Sequence, residues 1–232
     1  MMKIRVLRIE FDETLRPFEI SEFRGAVIEK VGRSNIIFNN HLDDTKYKYG
    51  YPLIQYKSIH NRPTMMCIND GVDEIHHFFN QKNWDLKIND RILNLTLYNL
   101  QLKQYNIQVW ENMFDYSIIR WLPLNQQNHD EYRKLDGLIE KTAFLEKILI
   151  GNILSFAKGI KWTVDKQIKV KITDITKINT VKVKETRREA FDAVFKTNVF
   201  LPDYMGLGKN VTRGFGIVKS KYNKEDNEQY QR

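Results

Sequence analysis

The first eleven residues, MMKIRVLRIEF, alternate apolar and polar side chains. That period of two predicts a strand over residues 3–11. The period then lengthens. Ile20, Phe23, Val27 and Val31 recur at helical spacing behind Pro17, which suits a first helical turn, and Gly32 supplies a stop. A polar loop with Asn39, Asn40 and His41 follows. Residues 51–59 and 64–69 read as strands around a turn at Asn61-Arg62-Pro63. A short helix is predicted from Val72 to Phe79, started near Asp70-Gly71, and strands are predicted around 91–98 and 101–110. Strand, helix, two strands, helix, strand is the ferredoxin-like order.

The second half repeats the theme. Residues 114–122 are β-like, and Pro123 with a polar loop over Asn125–Asn128 ends them. Leu135, Leu138, Ile139, Thr142, Leu145, Ile148, Leu149 and Ile153 form a long helical stripe, closed by Gly159. Strands are expected at 168–175, 178–185, 190–201 and 215–219, then a frayed polar tail. The fold class is α+β: two tandem ferredoxin-like (βαββαβ) domains, residues 1–110 and 111–232. The strand-embedded Trp110 and Trp121 are read as core.

Composition narrows the function. The chain of 232 residues is 42% hydrophobic, enough for real cores. Its one cysteine, Cys67, lies in an apolar run, which excludes a disulfide framework and cysteine metal ligation. No stretch is long and apolar enough to span a membrane, and the N-terminus does not resemble a signal peptide, so a cytoplasmic protein is expected. The net charge is +8. From Lys161 onward sixteen Lys and Arg stand against nine Asp and Glu, so nearly all of the excess lies there. A basic half beside a neutral one suits a polyanion, against the plainer reading of a solvated lysine-rich face.

Two stretches carry candidate chemistry. The first is the loop 206–216, GLGKNVTRGFG, with four of the chain's eleven glycines. Gly206, Gly208, Gly214 and Gly216 allow positive φ and close backbone approach, and Lys209 and Arg213 add charge. This is neither a Walker loop nor a dinucleotide fingerprint, because a short β-like run follows it. It reads as a phosphate-backbone site or as a structural loop that lets the last strand pack. The second stretch holds His41, with Lys46, Tyr47, Lys48 and Tyr49 close behind. A histidine beside cations and a phenol is what metal-free RNA cleavage needs: a base for the ribose 2′-hydroxyl and positive charge for the phosphorane. The alternative is an ordinary exposed loop histidine. No residue pattern reads as a zinc site.

Four strings resemble the CRISPR-associated repeat-cleaving endoribonucleases of the RAMP superfamily: Phe23-Arg24-Gly25-Ala26-Val27-Ile28, Phe38-Asn39-Asn40-His41, Tyr51-Pro52-Leu53-Ile54-Gln55-Tyr56-Lys57 and the glycine loop. The likeness runs from about residue 3 to 219. It implies two ferredoxin-like, RRM-like domains and a metal-independent, cofactor-free cut in precursor transcripts that leaves 5′-hydroxyl and 2′,3′-cyclic phosphate ends. Its implied partners are CRISPR repeat RNA and other CRISPR effector subunits, with the chain a monomer or a homodimer. His41 is the implied general base, with Tyr49, Lys46 and Lys30 as helpers. The glycine loop and Arg187-Arg188 are implied to hold phosphates. A related branch carries Leu-His-Asn-His where this chain has Phe38-Asn39-Asn40-His41, so Asn39 replaces the first histidine. Two other readings stay open: a non-catalytic RNA-binding RAMP subunit, and an interaction protein whose basic face meets another acidic partner.

Overall fold

The computed structural model describes residues 1–39, 50–183 and 185–221. It divides into two compact units. Unit 1 comprises Met1–Asn106, Ser155–Thr163 and Val211–Gly214; unit 2 comprises Ile107–Leu154, Val164–Asn210 and Phe215 onward.

Unit 1 begins with β1 (Met2–Phe11), where Leu7, Ile9 and Phe11 face the core. Pro17 opens a 3-10 turn that continues into α1 (Ile20–Val31). Its apolar stripe, Ile20, Phe23, Val27 and Ile28, is buried, and Gly32 at φ +101° ends the helix with its N–H donating to the Ile28 carbonyl. This is the helix the spacing predicts. A single turn, α2 (Ile36–Asn39), stands where a polar loop is expected. β2 (Ile54–Ile59) and β3 (Arg62–Ile68) form a hairpin. Its tip is His60–Asn61, both in the left-handed region, as a two-residue hairpin turn demands. The predicted turn is therefore one residue late, and Pro63 pairs with Ser58 inside the ladder.

The predicted Val72–Phe79 helix is two short ones, α3 (Asp70–Glu74) and α4 (His76–Phe79). The strand expected at 91–98 is broken. β4 (Leu86–Ile88) and β5 (Arg91–Leu93) form a small hairpin turned at Asn89, and β6 (Leu97–Ile107) starts afresh. The main sheet runs β2-β3-β1-β6, the ferredoxin-like arrangement. Phe11, Phe23, Phe38, Tyr56, Met65 and Phe78 fill its core with Cys67, whose buried thiol is pushed well above its usual pKa.

Unit 2 begins with β7 (Val109–Trp121). Asn125 does not extend a loop. Its side-chain oxygen accepts the Asn128 N–H at 2.6 Å and caps α5 (Gln126–Lys134), an N-cap the polar composition concealed. α6 (Leu138–Gly159) is the predicted striped helix. β8 (Val170–Val183) and β9 (Thr186–Val199) are one long hairpin, not the three shorter strands expected. Thr176-Lys177 offers no turn chemistry, so the strand runs on, and register shifts near Ile172 and Ile175 absorb the irregularity. β10 (Ile217–Ser220) completes the sheet β10-β7-β9-β8, the same arrangement as in unit 1. Between β9 and β10 the place of a second helix is taken by the glycine loop and a 3-10 turn at Val211–Arg213. Trp121 is fully buried and meets Phe191 edge-on, whereas Trp110 is 37% exposed, so only the first is core. Among the described residues no helix is long and apolar enough to cross a membrane.

Candidate nucleic-acid interface

In unit 2 the arms of the glycine loop are laced together. Tyr204 N–H donates to the Val218 carbonyl at 2.7 Å, Leu207 N–H to Gly216 at 2.8 Å and Val218 N–H to Met205 at 2.9 Å. Gly206 bridges to Ile217. Gly216, at φ +64°, donates to the Arg120 carbonyl, and a Cβ there would land on the Leu207 carbonyl oxygen. Gly208, at φ +93°, leaves room for the Trp121 indole, which a Cβ would approach to 2.9 Å. The amides of Leu207 and Gly216 thus turn to carbonyls. Charge for an anion comes here from side chains.

Two of those side chains lie within reach of each other's charge. Lys209 is half-buried, and burial holds its ammonium below the usual lysine range, with the nearby Arg188 guanidinium pushing the same way. Arg188 Nε donates to Thr186 Oγ1 at 3.3 Å, and its neighbour Arg187 is exposed. Two cations whose fields overlap favour a bound anion. Arg120 is another half-buried cation of unit 2, and sequence reasoning missed it. Its backbone is left-handed at φ +54°, its N–H donates to Asp192 at 2.6 Å, and its guanidinium lies 4.4 Å from the centre of the Phe215 ring. Nothing in Ile118-Ile119-Arg120-Trp121 announces that turn.

In unit 1 the 3-10 turn Val211–Arg213 packs on β2 and α1. Gly214, at φ +74°, lies so close to α1 that a Cβ would strike the Ile20 side chain. Arg24, on α1, is half-buried, and its Nη2 donates to the Asn39 carbonyl at 2.7 Å. Its Nε is buried without a hydrogen-bond partner among the described residues. Burial is the main cause that holds this guanidinium below its ordinary pKa; the Tyr56 phenol opposes it and Arg213 adds to it. Tyr56 is fully buried, packs edge-on against Phe23 at 5.9 Å and donates to the Phe38 carbonyl at 3.4 Å. Asn39 Nδ2 donates to the Arg33 carbonyl at 3.4 Å.

The segment before the predicted catalytic histidine is therefore held from several sides. His41, Lys46 and Tyr49 themselves lie outside the described residues. Lys30 is described: its ammonium donates to Asn83 Oδ1 and to the Asp85 carbonyl, both at 2.6 Å. The charge of Arg213 reaches Arg24, and that of Arg188 reaches Lys209.

Comparison with known proteins defines the class. Residues 2–106 match the family model of the Cas6b N-terminal domain, and residues 108–221 that of the Cas6b C-terminal domain. A crystal structure of Cas6b superposes with a TM-score of 0.87 at 30% identity, covering 94% of this chain and 100% of that one. A second, of the CRISPR RNA processing endoribonuclease Cas6b, gives 0.72 at 28% identity, with 94% of this chain and 100% of that one covered. The type IV protein Csf5, at 10% identity and a TM-score of 0.62, shares the fold over 95% of this chain and 100% of its own. An uncharacterized protein of Methanocaldococcus jannaschii is 40% identical over 111 residues, 47% of this chain and 74% of its own. The fold and these matches put the chain in the Cas6 class of CRISPR-associated proteins. Within that class it belongs to the Cas6b family.

Proposed function

We propose that the protein is an endoribonuclease that cuts CRISPR repeat RNA in precursor transcripts to release guide RNAs. The observation that carries this reading is membership of the Cas6b family across both halves of the chain. The proposed reaction is metal-independent. The ribose 2′-oxygen attacks the adjacent phosphorus, the P–O5′ bond breaks, and the products carry a 2′,3′-cyclic phosphate and a 5′-hydroxyl. His41 takes the 2′-hydroxyl proton and returns it to the leaving oxygen, the base-and-acid work an imidazole near neutrality does well. Tyr49 and Lys46 assist. Lys30, tied to Asn83 and Asp85, contributes its charge from the last turn of α1. Arg187, Arg188, Lys209 and Arg213 grip the RNA backbone, on a loop shaped by Gly206, Gly208, Gly214 and Gly216.

The test is cleavage of the host's own repeat RNA with EDTA present, wild type against His41→Ala. The variant should lose about 100-fold or more in rate, the usual worth of a general base, and keep its affinity for the RNA. Cutting by His41→Ala at the wild-type rate rejects the catalytic assignment. Loss of cutting in EDTA rejects the metal-free route. One feature favours the second reading, a non-catalytic RNA-binding subunit: Asn39 stands where the related branch has a histidine, and its carbonyl serves Arg24. Repeat RNA left whole by the wild-type protein selects that reading.

A further inference from the structure

Within unit 1 the end of α6, the helix turn α2, the residues leading into β2 and the start of α3 enclose a cavity of about 340 Å³. Two close approaches build it. A Cβ at Gly159 would strike the Tyr51 side chain, and a Cβ at Gly71 would strike the Leu53 carbonyl, so glycine seats both helices against the lead-in to β2. The Tyr51 side chain is 8% exposed; its ring meets Phe156 edge-on at 5.2 Å, and its hydroxyl accepts the Gln55 amide at 2.9 Å. It is a braced aromatic wall beside Ile36, Ile37 and Leu53. The charged lining residues are Asp70, Lys158 and Lys161. Lys161 Nζ stands 3.3 Å from Asp70 Oδ2, which sets a donor next to an acceptor. An ammonium donates three hydrogen bonds and a carboxylate accepts several, so neither group is used up by the other. Lys158, in the last turn of α6, is exposed.

A cavity at the small end of the range for ligand sites takes one ring system, not a duplex. Proteins that read RNA by sequence hold single unstacked bases in this way, with an aromatic face on the ring and polar groups at its edge. Guanine shows a carbonyl, O6, next to two N–H groups, at N1 and N2. That edge is the complement of an ammonium next to a carboxylate. We propose that the cavity is a guanine subsite for the repeat RNA: one guanine leaves its stack and lies against Tyr51, with O6 toward Lys161, N1–H and N2–H toward Asp70, and a backbone phosphate at Lys158. The proposal rests on the RNA-binding part of the reading above and uses none of the groups assigned to cleavage.

The test is a binding scan with the full chain. The probe is the host's repeat RNA with 2′-deoxyribose at the nucleotide mapped as the wild-type cut, so that it binds uncut, and with one nucleotide at a time made abasic. One guanosine should stand out: removing its base should raise Kd about tenfold or more, the usual worth of a stacked base. Inosine at that position, which lacks the N2 amino group, should raise Kd about threefold or more. Ser155→Trp puts a bulky ring at an exposed lining position on α6. It should weaken binding of intact RNA about as much as the abasic site does. The two changes together should cost no more than either alone, because they remove one contact. Asp70→Asn should abolish the preference for guanosine over inosine. If Ser155→Trp does not fold, Asp70→Asn is read against the same set of RNAs. Strictly additive losses at every position overturn the subsite, and so does a coupled position that is not a guanosine. Failure of the wild-type protein to bind repeat RNA at low salt overturns the RNA reading beneath it.

Discussion

Lys57 sits in β2 with no accessible surface, and its ammonium has no hydrogen-bond partner among the described residues. Burial alone pushes its pKa down to about 7, from an ordinary 10.5. The folded chain therefore binds this proton more weakly than the unfolded chain does. The resulting penalty on folding is full below about pH 7 and fades as pH rises toward 10.5. At about 1.4 kcal/mol for each tenfold change in proton affinity, it reaches about 5 kcal/mol at neutral pH. Lys57→Met, similar in length and uncharged, should raise the unfolding free energy by a few kcal/mol near pH 7 and by much less near pH 10. Urea titrations of both proteins at the two pH values check this; parallel pH dependences would show that Lys57 is not the titrating group. No residue pattern foretells this burial. Lys57 occupies an ordinary polar place in the Tyr51–Lys57 string, and the sheet, which no single strand reveals, encloses it.

At the level of elements, helices were legible where their apolar spacing was long. α1 and α6 have many apolar positions and a glycine at the far end, so period and stop agree. Errors gathered where local chemistry outweighs period: the Asn125 cap inside a polar run, the two-residue turn at His60–Asn61, and a β8 that runs through two bulges. The glycine loop was legible in outline, since glycine best suits its left-handed positions at 208, 214 and 216. Its partners were not, because contacts between Gly214 and Ile20, or Gly216 and Leu207, span the fold or turn on hydrogen bonding. The loop is a sterically determined element, and its glycines are unequal to others in the chain. Gly216→Ala must place a Cβ on a backbone oxygen at φ +64°, and should cost about 3 kcal/mol or more, above the strain of a left-handed residue alone. Gly151→Ala, in α6 with nothing within 4 Å of the added carbon, should stabilise by about 0.5–1 kcal/mol through helix propensity. Thermal unfolding of the two variants decides it; a Gly216→Ala protein as stable as wild type would refute this account of the loop.

For the molecule as a whole, charge asymmetry was the most useful composition signal, because a polyanion partner acts on summed charge before any one contact. Sixteen cations stand from Lys161 to the end of the chain, and among them the sequence singles out Arg187, Arg188, Lys209 and Arg213 for phosphate. What the fold adds is which charges reach one another: Arg188 and Lys209, and Arg213 and Arg24 of α1. That pairing has a measurable consequence. Each cation lost from a phosphate contact should reduce the magnitude of the slope of log affinity against log salt by about 0.7 for single-stranded RNA, by counterion release. Lys209→Ala and Arg188→Ala should each do so, and should weaken binding alike for repeat and unrelated RNA, because phosphates carry no sequence. Their effects should also fall short of additivity. In the free protein the two cations repel, so the first substitution forfeits both a phosphate contact and the relief that RNA gives, and the second forfeits only a contact. The double variant should therefore bind more tightly than the sum of the single losses implies. Salt titrations of the four proteins against one RNA measure all of this. Unchanged slopes in both single variants would remove Lys209 and Arg188 from the interface; strictly additive losses would leave them there as independent contacts, with no anion shared between them.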